Sequence, residues 1–208
     1  MKSKTTSLLF FFLITFNIYC SGFKKVAYIP YWRMIHLEEI NYDLITHVMA
    51  AFANPDEDGN LFFSGNLMPY FVSTVHKNKA KAIVSIGGGG DYSWGSEVSI
   101  YKNLFATPES RTEFIHKIMQ YMRTHNFDGL DNDLEGNALE LSNFNVFTQE
   151  LGDSLHAGGY EYSAAIGVGG SWGVNYWSDA SLAKLDFMMT MSYGGAVSYT
   201  HLTLPTKA

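Results

Sequence analysis

From Lys25 onward, short and nearly continuous apolar runs alternate with longer stretches in which apolar residues recur every three to four positions. The runs at 26–30, 47–53, 82–86, 129–135, 162–166 and 187–193 predict strands, and their continuous apolar character is that of parallel strands buried on both faces. Helical patterns fall between them at 67–78, 108–124, 140–156 and 179–184. The second of these is the best defined. Thr107 suits an N-cap, Pro108 suits the first helical position, and Phe114, Ile115, Ile118, Met119 and Met122 form an apolar stripe. Gly158 and Gly159 end the next helix before the strand at 162–166. Repeated strand–helix units predict an α/β protein with a parallel sheet, either doubly wound or closed into a barrel, and periodicity does not separate the two. Six strands are counted, whereas an eightfold barrel has eight and typically needs roughly 250 residues. The chain is therefore expected to hold an incomplete barrel.

The two ends change how much of the chain enters the fold. Lys2 and Lys4 precede an apolar stretch at 8–16 that is too short to span a bilayer. Cys20-Ser21-Gly22 follows, so 1–22 reads as an export signal cleaved after Gly22. The alternative is a lipoprotein signal ending before Cys20, with a lipid anchor on that cysteine as the sole membrane attachment. Either reading places the mature protein outside the cytoplasm, secreted, periplasmic or at the cell surface. Cys20 is the single cysteine, so no internal disulfide forms. At the other end, Val197 to Thr206 resembles a transposon-type sequencing adapter translated in one frame. Residues 197–208 are accordingly set aside as a non-native tail, leaving 23–196 as a partial barrel. Such a fragment has open sheet edges, and 1–208 alone is expected to fold poorly and to be inactive.

Composition narrows the partners. Of 208 residues, 47% are hydrophobic and 16% charged, enough for a buried core, and the formal charge of -6 disfavours nucleic acid, nucleotide phosphates and anionic membranes. A neutral polysaccharide meets no such penalty. The chemistry concentrates in Asp128-Gly-Leu-Asp131-Asn-Asp133-Leu-Glu135. Strand alternation puts Asp131, Asp133 and Glu135 on one face, with Leu130 and Leu134 on the other. Carboxylates crowded in a desolvated interior raise one another's pKa, as a general acid near neutral pH requires. A solvated acidic turn is the plain alternative, and the apolar Phe127, Leu130 and Leu134 argue against it.

That run matches the D-G-x-D-x-D-x-E signature of glycoside hydrolase family 18, the chitinases and endo-β-N-acetylglucosaminidases. Ser85-Ile-Gly87-Gly88 resembles the same family's S-x-G-G motif, and Val26 to Trp32 resembles its first strand. The resemblance spans about residues 25–195 and implies a (β/α)8 barrel. It further implies that Glu135 is the general acid, that Asp133 holds the substrate's 2-acetamido group, and that Asp131 tunes Asp133 by sharing or accepting its proton. No protein nucleophile is required, because the substrate supplies its own. Met191-Ser-Tyr193-Gly194 resembles the family's M-x-Y-D motif with glycine in place of the aspartate. Tyr193 would then bond the acetamido oxygen and Met191 floor the sugar site, while Gly194 bears on rate and pH optimum.

The four tryptophans, Trp32, Trp94, Trp172 and Trp177, all follow predicted strands, with Tyr31 and Tyr92 beside two of them. Loops after barrel strands share the active face, and flat aromatic rings suit the apolar faces of sugars, so the joint placement favours a saccharide cleft over core packing. Gly87 to Gly90 lacks the spacing of a phosphate loop and reads as close backbone approach. Residues 54–59 read as a polar turn rather than a calcium loop, since Gly65 stands where the late glutamate is needed. The histidines lack metal-ligand spacing, and neither metal nor cofactor is expected. The expected activity is hydrolysis of β-1,4-linked N-acetylglucosamine, in chitin or in the chitobiose core of N-glycans. The rival is a noncatalytic carbohydrate-binding relative on the same barrel, which the presence of Glu135 disfavours.

Overall fold

The apolar runs do pair in parallel, and the order in which they pair settles the choice between sheet and barrel. The computed structural model describes residues 23–168 and 173–192. Its elements are β1 (Val26–Pro30), β2 (His47–Ala51), a short hairpin of β3 (Asn54–Pro55) and β4 (Leu61–Phe62), α1 (Met68–Lys77), β5 (Lys81–Gly87), α2 (Val98–Phe105), α3 (Pro108–His125), β6 (Gly129–Asp133), α4 (Phe144–Ala157), β7 (Glu161–Gly167), α5 (Asp179–Leu182) and β8 (Phe187–Met191). The six-stranded sheet runs β1-β2-β5-β6-β7-β8, with every pairing parallel. A doubly wound sheet reverses its order at a switch point, whereas a barrel adds each strand on the same side. This sheet never reverses.

It also curls. β1 and β7 lie four ladders apart, roughly 19 Å in a flat sheet at the usual strand spacing. Yet Lys24, just before β1, reaches Glu161 at the start of β7 at 2.9 Å. Tyr28 of β1 likewise donates to Asp131 of β6 at 2.9 Å. The result is a half-barrel with helices outside, and among the described residues β1 and β8 are its edges.

The two faces of the sheet separate chemically. Val48, Ala50, Ala82, Val84, Ile86, Leu130, Tyr162, Ala164 and Ile166 point outward into one core shared with the helices. Phe105, Phe114 and Phe147 stack within it, the closest ring pair being Phe105–Phe147 at 4.2 Å. The inner face carries Met49, Ile83, Ser85, Asp131, Asp133, Ser163 and Ala165, all buried. At the start of the strands Glu161 accepts from His47, Lys81 and Lys24 at 2.7–2.9 Å. These donors hold its carboxyl well below the usual carboxylate range despite partial burial and close that end of the half-barrel.

The helix at 108–125 forms as its sequence predicts. Thr107 and Ser110 cap each other reciprocally, Asn126 ends the helix in the left-handed region (φ 61°), and the expected stripe is buried apart from the half-buried Met119. Buried Arg111 adds a forked pair to Glu150 of α4 at 2.7 and 3.1 Å. α2 has no counterpart in the pattern analysis. It is short, its N-cap makes no side-chain bond, and its helicity rests on burying Ile100, Tyr101, Leu104 and Phe105. The strands read as reaching 53 and 135 stop at Ala51 and Asp133, and the one read to 193 stops at Met191, Tyr193 lying outside the described residues. The signal at 1–22, Cys20 included, and the tail at 197–208 also lie outside them.

Candidate active site

The site forms where β5 and β6 end. Gly87 has φ +94° and a Cβ there would sit 2.6 Å from the Asp133 carbonyl oxygen. Gly88, at φ +80°, lies against the Phe52 ring and donates its N–H to that same oxygen at 2.8 Å. Both glycines of the S-x-G-G motif are thus needed for the backbone to turn across the end of β6. Asn54 grips the turn from the hairpin side, donating to Gly87 O at 2.9 Å and accepting from Gly87 N at 2.6 Å, while Tyr101 donates to its oxygen. Gly87→Ala is expected to destabilise the protein by about 3 kcal/mol, since it adds a backbone clash to a forbidden φ. Gly90→Ala, also at positive φ but with nothing within 4 Å, should cost only about 1 kcal/mol. Urea midpoints of the two variants check this. Equal losses would mean that φ alone matters.

Register then builds the site around the acidic strand. It places Ser85 and Ser163 directly beside Asp131 on the two neighbouring strands. Ser85 donates to Asp131 Oδ2 at 2.6 Å, Ser163 to Oδ1 at 2.8 Å, and Tyr28 reaches across the half-barrel to Oδ2. Asp131 is fully buried, and burial raises its pKa against the pull of these three hydroxyls. Asp133, one layer above, is handled differently. It makes no hydrogen bond to Asp131, its Oδ1 is buried without any hydrogen-bond partner among the described residues, and its carboxyl is pushed up to about 9. Burial is the main cause, followed by the charges of Asp131 and Glu135. Asp131 is therefore the better-stabilised anion, and Asp133 holds a proton at neutral pH.

Glu135 lies just past the strand, its backbone still extended (φ -130°, ψ 169°), so alternation keeps it on the same side. Its carboxyl is half-buried and raised by that burial. Such a group, protonated above the ordinary glutamate range, can give a proton to a bound molecule and take one back.

A cavity of about 370 Å³ opens beside these groups, lined by Tyr28, Trp32, Phe52, Asp133, Met189 and Met191 among others. Trp32 and Tyr31 pack edge to face at its mouth and are 63% and 45% exposed. Trp94, 43% exposed, covers Gly136, which has no side chain to obstruct it. Trp177 does not join them. It is buried, edge-on to Phe144, and belongs to the core. Tyr92 also serves packing, its hydroxyl donating to Pro55 O at 3.3 Å. Trp172, Tyr193 and Gly194 lie outside the described residues.

Not every residue of the acidic motif belongs to the site. Asp128 is at the far end of β6, accepting from Ala82 N and His76 Nε2 at 2.7 Å each. Gly129 admits the Glu161 carbonyl oxygen and the Ile83 side chain, which a Cβ would strike at 2.5 and 2.8 Å. Conversely, Tyr28, Ser163, Asn54, Phe52, Met189 and Ser93 enter the site without being singled out by sequence. Inward alternation was a signal for Tyr28 and Ser163, but only known register connects them to Asp131. Among the described residues no group of three ligating side chains is arranged to hold a metal, and no helix is long and apolar enough to cross a membrane.

A parallel half-barrel with stacked carboxyls at the outgoing end of one strand, beside an aromatic-rimmed cavity, defines a carbohydrate-active barrel protein. The chain belongs to glycosyl hydrolases family 18, whose family model matches residues 24–206, running past residue 196. It is a glycoside hydrolase or a chitinase-like binding protein of that family. "Probable chitinase 10" of Drosophila melanogaster is 30% identical over 170 residues, covering 69% of this chain and 7% of that protein. Among solved structures, the GH18 chitinase ChiB from the chitin utilization locus of Flavobacterium johnsoniae is 27% identical with a TM-score of 0.74, covering 82% of this chain and 54% of that one. The chitinase-like agglutinin RobpsCRA from Robinia pseudoacacia is 26% identical with a TM-score of 0.69, covering 81% and 54%. The chain spans less than half the length of the curated relatives it matches.

Proposed function

We propose that the protein, exported by its leader, hydrolyses β-1,4-linked N-acetylglucosamine glycans with retention, the substrate's own acetamido group acting as nucleophile. The observation that carries this reading is Asp133, a buried carboxyl on a sugar-sized cavity, one of whose oxygens has no hydrogen-bond partner among the described residues. A buried polar atom without a partner is costly, and an acetamido group entering the cavity would supply one.

In the first step Glu135 gives its proton to the glycosidic oxygen as the bond to the anomeric carbon breaks. The acetamido carbonyl oxygen attacks that carbon from the opposite face, forming a cyclic oxazolinium ion. Asp133 holds the acetamido N–H on its carboxyl oxygen, while the anionic Asp131 beneath it balances the growing positive charge. In the second step Glu135, now a carboxylate, takes a proton from water as the water oxygen attacks the anomeric carbon. The ring opens, the acetamido group is restored and Glu135 is reprotonated. Met191 and Tyr193 would floor and orient the sugar, and Trp32, Tyr31, Trp94 and Trp172 would stack on neighbouring residues of the glycan.

The binding-protein reading is favoured by one feature, Gly194 in place of the family aspartate, and the likeness to a chitinase-like agglutinin keeps it in view. The decisive assay uses the protein expressed from its gene. Chitin oligosaccharides and a high-mannose glycoprotein are supplied separately, and released products are measured. Cleavage of one of them is expected, and identifies the substrate. Tight binding with no product from either would assign the protein to the binders.

A further inference from the structure

Ser93 is fully buried in the loop that follows β5, and it lies outside the family motifs noted above. Its hydroxyl donates to Gly88 O at 2.7 Å and accepts from Glu135 N at 3.0 Å. Its own carbonyl accepts from Ala138 N at 3.2 Å. One residue further, the Trp94 carbonyl accepts from Asn137 Nδ2 at 3.2 Å, and the Trp94 indole covers Gly136. The strand ladder has already ended at Asp133. Nothing in the sheet therefore fixes the backbone of Glu135: its N–H donates to Ser93 Oγ at 3.0 Å, and its carbonyl accepts from Ala138 N at 3.1 Å within the short turn that follows. No described side chain hydrogen-bonds the Glu135 carboxyl, so its aim depends on where its backbone is held.

We infer that Ser93 is a positioning residue for the proton donor, a latch that sets the direction of the Glu135 carboxyl by holding its backbone N–H. The inference rests on the proposed role of Glu135. It distinguishes Ser93 from Ser85 and Ser163, which act on Asp131. Removing the latch lets Glu135 drift relative to the glycosidic oxygen. A displacement near 1 Å costs up to ~100-fold in rate, and the loss falls on the two proton transfers that Glu135 makes, to the leaving oxygen and from water.

The test compares two substrates in the same protein. A natural chitin oligosaccharide needs a proton on its leaving alcohol, whereas a 2,4-dinitrophenyl glycoside leaves as a stable phenolate and needs none. Ser93→Ala is expected to lower kcat/KM on the oligosaccharide ~10- to 100-fold and to leave kcat/KM on the aryl glycoside, which reports only the first step, within about twofold. Equal losses on both substrates would reduce Ser93 to a structural role and overturn the inference. Should Ser93→Ala not fold, Asn137→Ala loosens the same loop from an exposed position. It must show the same leaving-group dependence at about severalfold, and its absence also overturns the inference. Failure of the unsubstituted protein to cleave either substrate would instead defeat the proposed function.

Discussion

Glu135→Gln lowers kcat on chitin oligosaccharides by ~10²- to 10⁴-fold while KM stays within about twofold, the range for loss of a general acid. The amide keeps the size of the carboxyl but has no acidic proton to give. Because no described group hydrogen-bonds the Glu135 side chain and it is only half-buried, the substitution breaks no internal bond, and the thermal midpoint should barely move. The native enzyme's alkaline limb reports the same group. Burial raises the Glu135 pKa, so activity persists above the ordinary glutamate range of about 4.3 and declines as pH rises through the shifted value. Initial rates from pH 4 to 10 for both proteins check this. Full activity in the Gln variant would remove Glu135 from the mechanism.

Asp133→Asn is expected to trade activity for stability, with a pH dependence whose sign follows from the proton balance. The Asp133 carboxyl is pushed up to about 9 in the fold, against about 3.9 in an unfolded chain. Between those values the unfolded chain has released the proton and the native protein still holds it. The stability contributed by the neutral buried carboxyl is full below pH 4 and is lost as pH rises through that window. Asparagine has no such proton. Relative to the native protein, the variant should be nearly equal in stability at pH 4 and more stable by roughly 5 kcal/mol at pH 8. Turnover should fall by ~10²-fold, because an amide that turns its NH2 group toward the acetamido N–H no longer holds the nucleophile in line for attack. Urea unfolding at the two pH values provides the measurement. A stability difference that does not change with pH would show that Asp133 is ionised in the fold.

These effects depend on a division of labour that the spacing of the acidic run only half reveals. Alternation correctly gathers Asp131, Asp133 and Glu135 on one side, because successive Cβ directions are a local property of extended backbone. It treats them as three equal carboxylates, however. In the structure Asp131 is wrapped by three hydroxyls, Asp133 has an unpartnered oxygen, and Glu135 stands beyond the ladder. No hydrogen bond joins Asp131 to Asp133 among the described residues, and Asp131 raises the Asp133 pKa there through its charge. Tryptophan placement was legible in the same partial way. Trp32 and Trp94 are exposed beside the site, but Trp177, which also follows a strand, turns into the core.

Sequence alone determined the alternation of strands and helices, the capped helix at 108–125 and the shared face of the acidic residues. Each follows from periodicity and capping, which act over a few neighbouring residues. Tertiary structure decided the unreversed strand order that makes this a barrel rather than a doubly wound sheet. It also decided the register that sets Ser85 and Ser163 beside Asp131, the curl that brings Tyr28 across, and the hold of Ser93 on Glu135. Those partners are 32 to 103 residues apart in the chain. Which of several chemically similar groups meet across such separations is set by how the whole sheet packs and bends, and no local pattern encodes it.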